Sequence, residues 1–261
     1  MTKRVFAMLL AVLMLCLCVA CSDKEEGGVT DDPVINIGPQ TLTYTDSQGD
    51  TFTYDYLSST TVTILDFVGN DEPHMVTIPA VIDGRAVTEV AAKAFYGKSN
   101  ISEIKSEAQL VKVGDYAFAY CEALTKVTLP ATTSTIGEGA FAYCPNLTTC
   151  VLPEGLREIG WSAFFNAVLL SEITFPSTLQ TIGAGAFMNC TSLKAIELAE
   201  GLTSVGEQAF YQCTAVETLK LPASLTEIGE WAFNPFVRDL PDEAITVVEG
   251  SVAAKHIAQF R

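Results

Sequence analysis

The chain has 261 residues, 49% of them hydrophobic, which is enough to bury a sizeable core. Fifteen basic side chains stand against 31 acidic ones, for a net charge of −16. That balance repels phosphate backbones and anionic headgroups, and it excludes nucleic acid as a partner.

Residues 1–20 read as a secretory signal peptide, because Lys3 and Arg4 precede an apolar run from Val5 to Val19 that is too short to span a bilayer. The run ends in Cys18-Val19-Ala20-Cys21. A small residue before a cysteine, after such a stretch, resembles the cleavage and acylation site of bacterial lipoproteins, although Cys18 stands where leucine is usual. Cys21 is then the lipidated residue; ordinary cleavage leaving a free thiol is the alternative. Lys24-Glu25-Glu26 resembles the acidic export signal of some Bacteroidota lipoproteins, and a plain polar tether would have the same composition. The expectation is a lipidated flexible tether over 21–40, with membrane contact through the anchor on Cys21. The body would then be exposed on the outer face of the outer membrane. Loss of the leader leaves 13 basic against 31 acidic side chains, or −18.

From residue 41 the pattern turns to alternation: Leu42 and Tyr44, Phe52, Tyr54 and Tyr56, Val62 and Ile64. Asp46-Ser47-Gln48-Gly49-Asp50 is a turn between strands. A β unit this small does not stand alone, so residues 41–74 are expected to cap whatever follows. Val76-Thr77-Ile78-Pro79 resembles the first strand of the next region, followed by a return through Asp83-Gly84.

That region repeats. An Ala-Phe pair recurs with Phe at 95, 118, 141, 164, 187, 210 and 233, each 23 residues after the last. Five before each Phe stands Val or Ile (Val90, Val113, Ile136, Ile159, Ile182, Val205, Ile228), followed by Gly from the second copy onward. Three after it the middle copies have Cys121, Cys144, Ala167, Cys190 and Cys213. Then comes an apolar triplet, such as Leu124, Val127 and Leu129, closed in most copies by proline. Leu-x-x-Ile-x-Leu predicts a strand; the proline ends it, having no backbone donor for a ladder. One unit cannot bury enough apolar surface to fold alone, so the copies must stack. The unit is expected over residues 75–238, as about seven rungs.

After Phe233 the pattern degrades, with Phe236 in the cysteine slot and Pro241 breaking the strand. Ala244 to Glu249 suits one more strand and Val252 to Phe260 a short helix, so 239–261 reads as a strand-helix cap that would close the chain.

The unit, with Cys before Leu-x-x-Ile-x-Leu-Pro and an Ile-Gly-x-x-Ala-Phe return, resembles the BspA-like leucine-rich repeats of bacterial surface proteins over about residues 75–235. The resemblance implies a β-rich, curved solenoid with a parallel sheet along one face, capped at both ends. It implies adhesion or contact with host proteins, and it names no ligand.

Chemistry is hard to place on such a chain. His74, read as a loop residue, and His256, in the terminal cap, lie at opposite ends. The repeat cysteines sit a rung apart, without metal-ligand spacing, and serve as small buried groups with free thiols. No phosphate loop or nucleophile-base pair appears, so the reading is no enzyme, no cofactor and no metal.

Two surfaces are candidates for binding. Eight and ten residues after each Phe lie outward strand positions, giving Lys105, Lys126, Thr128, Thr149, Glu172, Thr174, Glu197 and Lys220 as a flat polar face suited to a protein. Tyr120 and Tyr143 lie two after the Phe, Phe165 and Tyr211 directly after it, and together they form either an exposed aromatic edge or padding between rungs. The expected partner is a host or bacterial surface protein; a glycan captured for nutrient uptake is the alternative, and a passive structural lipoprotein the third.

Overall fold

The structure, a computed structural model, describes residues 41–260; the expected signal peptide over 1–20, Cys21 and the expected tether over 21–40 lie outside the described residues. The repeats coil into a solenoid with parallel hydrogen-bonded ladders on two sides. Its N-terminal end is an antiparallel meander of β1 (Leu42–Thr45), β2 (Thr51–Tyr56) and β3 (Thr61–Val68). The first rung follows as β4 (His74–Ile78), a two-residue β5 (Val81–Ile82) and β6 (Arg85–Val90). Asp83 and Gly84, with φ of 50° and 71°, make the tight turn between β5 and β6.

The strand expected from Leu-x-x-Ile-x-Leu forms, with β4 pairing parallel to β7 (Ile101–Ser106), then to Lys126–Thr128, Thr149–Val151 and Glu172–Ile173. A separate three-stranded sheet continues this side through Ala195–Glu197, Thr218–Lys220 and Ile245–Thr246. The interruption falls where Phe175 fills the slot that leucine holds in neighbouring rungs. Its ring meets Phe187 and Phe210 edge-on at 5.4 and 5.9 Å.

The return side carries the longer ladder, which the sequence pattern did not predict. Starting from β3 and β6, two-residue strands pair in register from Lys112–Val113 to Glu227–Ile228. A glycine follows each of these pairs because successive turns touch there. A Cβ on Gly183 would lie 2.6 Å from the Trp161 nitrogen, and one on Gly160 2.7 Å from the Gly137 carbonyl carbon.

All seven repeat phenylalanines are fully buried in one interior file. Ring centroids step by 4.7–5.6 Å, and Phe118–Phe141 and Phe187–Phe210 are within 5° of parallel. Both ends prolong the file. Phe67 lies 5.1 Å from Phe95, Phe52 5.4 Å from Phe67, and at the other end His256 lies 6.1 Å from Phe233 and 4.9 Å from Phe260. His256 and Phe260 belong to a helix, α1 (Val252–Phe260), whose buried face is Ala253, His256 and Ile257. The last strand, Ile245–Thr246, is shorter than the run from Ala244 to Glu249 that its pattern suggests: a 3-10 turn takes Ala244 at one end and a turn takes Glu249 at the other.

Candidate functional site

Around each Ala-Phe pair the backbone makes a third inter-rung ladder. The amides two before, at and two after the Phe donate to carbonyls of the next rung, as in Tyr116 to Glu138, Phe118 to Ala140 and Tyr120 to Ala142. The residues two before and two after the Phe are left-handed, which aims those amides along the stack. Two after the Phe, φ is +69° at Gly97, +61° at Asn166 and +64° at Asn189, residue types at ease in that region. The same position is Tyr120 and Tyr143, at +60° and +56°. A bulky aromatic there is held against its own backbone preference, a cost on the order of 1 kcal/mol or more.

The two tyrosines share a continuous outer file with their neighbours. Tyr96 lies 5.3 Å from Tyr120, Tyr120 4.6 Å from Tyr143 at 12° to parallel, and Tyr143 5.1 Å from Phe165 edge-on. Lys93 stands 5.9 Å above Tyr96. The rings therefore pack rung against rung and still face solvent: Tyr96 is 44% exposed, Tyr120 and Tyr143 37% each. Burial, then the neighbouring Tyr143 and Tyr96 hydroxyls, raise the Tyr120 pKa. Tyr211 is not in this file. It pairs instead with Trp231, at 6.3 Å.

The strand face divides. Lys126, Thr149 and Glu172 stand in register, as do Lys105 and Thr128, all on the five-stranded sheet. Glu197 and Lys220 belong to the three-stranded sheet beyond the interruption, and Thr174 lies past the end of its strand. Lys126 is engaged by Glu103 at 2.9 Å.

Among the described residues all five cysteines are free and buried. Four do more than fill space: Cys121, Cys144, Cys190 and Cys213 point their thiols at the carbonyls of Phe95, Phe118, Phe164 and Phe187 in the preceding rung, at 3.1–3.3 Å. Burial pushes the Cys144 and Cys213 thiols up to about 12, which leaves them unreactive while folded.

The histidines differ from their sequence reading. His74 is the first residue of β4, not a loop residue. Its Nδ1 faces the Glu72 carbonyl and its Nε2 the fully buried Asp50 carboxylate, each at 2.9 Å. Two acceptors call for two N–H donors, hence an imidazolium. Burial pulls the His74 pKa down, but the Glu72 and Asp50 bonds outweigh it and raise it. His256 is buried, and its Nε2 has no hydrogen-bond partner. Among the described residues no three His, Cys, Asp or Glu side chains converge to hold a metal, and no helix is long and apolar enough to cross a membrane.

Comparison with known proteins agrees with this architecture. The family model described as the BspA type leucine rich repeat region matches in six copies over residues 76–182 and 162–237. The crystal structure of a T. pallidum leucine-rich repeat protein is similar at 26% identity and TM-score 0.68, covering 80% of this chain and 92% of that one. A leucine-rich cell surface protein from Faecalibacterium prausnitzii is similar at 26% identity and TM-score 0.62, over 77% of this chain and 53% of its own. A leucine-rich repeat protein from Bacteroides ovatus follows at 25% and 0.52, over 69% and 54%. The chain thus spans about half the length of the last two. No curated protein matches the sequence significantly.

Proposed function

This chain belongs to the BspA-type leucine-rich-repeat family, and from that premise we propose that it is a protein-binding module, displayed on the cell surface by a lipid anchor on Cys21, that contacts its partner through the outer aromatic file. The observation that carries the reading is the placement of Tyr120 and Tyr143. Both occupy left-handed positions where other rungs have Gly, Asn or, at Gln212, an unbranched polar side chain, and both rings stay exposed. A side chain kept against its backbone preference, in contact with solvent, has a use other than folding. Rigid tyrosines exposed together are what protein interfaces employ as anchors. The cell-surface description of the F. prausnitzii relative supports the display.

Glycan capture fits less well. A sugar wants an open ring face, and the central pair of this file, Tyr120 and Tyr143, turn their faces toward each other. Adhesion through the strand face is weakened by its division into two sheets. A binding scaffold without catalysis accords with the family.

The test presents full-length protein to host and bacterial surface extracts and to a glycan array, with Tyr120→Ala/Tyr143→Ala alongside. A protein retained by the parent and released by the double variant supports the reading. Glycan binding lost in that variant would favour capture, and protein binding undiminished by it would remove the aromatic file from the interface.

A further inference from the structure

A groove crosses the return side of the solenoid over three rungs, enclosing about 350 Å³ between Lys112, Thr135 and Glu158 on one wall and Asp115, Glu138 and Trp161 on the other. Its floor includes Gly137 and Gly160, where successive turns lie in backbone contact. No side chain can grow from those positions without parting the rungs, so the groove is a necessary product of the fold. Lys112, Thr135 and Glu158 stand in register, one above another at about 4.8 Å.

Two of the three carboxylates, Asp115 and Glu138, are held in place. Asp115 accepts the Glu138 amide at 3.0 Å, and the Tyr116 hydroxyl donates to the Glu138 carboxylate. Burial, then that carboxylate, keeps Tyr116 protonated to high pH, so the bond persists. Each carboxylate retains lone pairs that these bonds do not use. The ion pairs among the described residues are His74–Asp50, Arg85–Asp83, Lys98–Asp66 and Lys126–Glu103, and none involves a groove side chain. Trp161 is 38% exposed beside them.

We propose that this groove docks an extended basic segment of a polypeptide partner, with arginine or lysine side chains paired to Asp115, Glu138 and Glu158 and laid over the Trp161 indole. An indole face and fixed carboxylates favour the same ligand group, a planar or compact cation. Charge also sets an orientation. Lys112, the one cation lining the groove, repels basic side chains at its end, while in the opposite direction the Trp161 row continues through the small Ala184 to Glu207 and Glu230. The inference rests on the reading of the protein as a binding module, not on the outer aromatic file.

The test uses full-length protein carrying Trp231→Phe, so that Trp161 is the only indole, titrated at low salt with a short peptide of alternating arginine and serine. A saturable change in Trp161 emission is expected. Glu138→Gln/Glu158→Gln should weaken binding about tenfold, while Glu172→Gln/Glu197→Gln on the strand face, an equal change of charge, should weaken it less than about twofold. Equal weakening by both pairs would reduce the effect to diffuse attraction and overturn the proposal. So would calorimetric binding with no change at Trp161, or an emission change produced by cellohexaose and not by the peptide. Each of those results leaves the aromatic-file reading intact, because that reading is tested at Tyr120 and Tyr143.

Discussion

Phe95 and Tyr96 are neighbours in the chain, yet each starts a different file of rings. The inner file from Phe95 to Phe233 and the outer one from Tyr96 to Phe165 climb the same rungs with nearly the same step, 4.7–5.6 Å against 4.6–5.3 Å. The inner rings from Phe118 to Phe233 keep within 16° of parallel between neighbours. The outer rings meet at 53°, 12° and 83°. Spacing is therefore a property of the coil, and orientation a property of the walls. The ladders and the aliphatic core enclose each inner ring, whereas Tyr96, Tyr120 and Tyr143 keep 37–44% of their surface open to solvent. What is fixed on all sides supports the fold, and what is fixed only in pitch is free to meet something else.

The largest expected effect comes from the middle of the inner file. Phe164→Ala should cost about 3–5 kcal/mol in denaturant unfolding, since the ring is fully buried between Phe141 and Phe187 and the rungs cannot collapse around the hole. Gly183→Ala belongs beside it, because its Cβ meets backbone that no rotamer change can relieve. A loss under about 1 kcal/mol for Phe164→Ala would mean that the inner rings are as loosely held as the outer ones, and the distinction would fall.

Most of the inner file was legible from the sequence, because the 23-residue period fixes it seven times over. Its extension was not. Phe67 and Phe52 sit off that period, in strands whose alternation shows which face is inward but not which rung their rings meet. Nor did spacing reveal the return ladder, whose strands are only two residues long. Of the outer file, the aromatic residues were visible and their grouping was not. Tyr211 shares its register with Phe165, but Met188 occupies the rung between them. The left-handed backbone was hinted at by Gly97, Asn166 and Asn189, while Tyr120 and Tyr143 hide the signal by breaking the residue preference.

The two ends of the inner file give smaller, pH-dependent tests. At the entry, His74→Ala strips the buried Asp50 carboxylate of its cation and should cost about 3 kcal/mol near neutral pH. The raised His74 pKa means that the folded protein holds this proton more tightly than the unfolded chain. The stabilisation is complete below the unfolded value of about 6.5 and is lost as pH rises through the folded one. At the exit the sign reverses. Burial lowers the His256 pKa, so the cap is fully stable above about 6.5 and weakens as acid forces a proton onto a ring between Phe233 and Phe260. His256→Phe should flatten the acid limb of stability against pH and leave the alkaline limb unchanged. An unchanged acid limb would place its cause elsewhere.

The smallest effect on stability is expected where the effect on binding is largest. Tyr120→Asn/Tyr143→Asn removes two stacked rings but places at both positions the residue that Asn166 and Asn189 already use in the same left-handed backbone. Lost stacking, about 0.5–1.5 kcal/mol for an aromatic pair, is offset by relief of a comparable backbone cost. Unfolding should therefore stay within about 1 kcal/mol of the parent, while a partner that uses the outer file is released. Thermal melts and a binding assay on the same sample decide it. A loss above about 2 kcal/mol would show that these tyrosines belong with Phe141 as structural rings, since an exposed residue at ease in its replacement's backbone has no other source of so large a change.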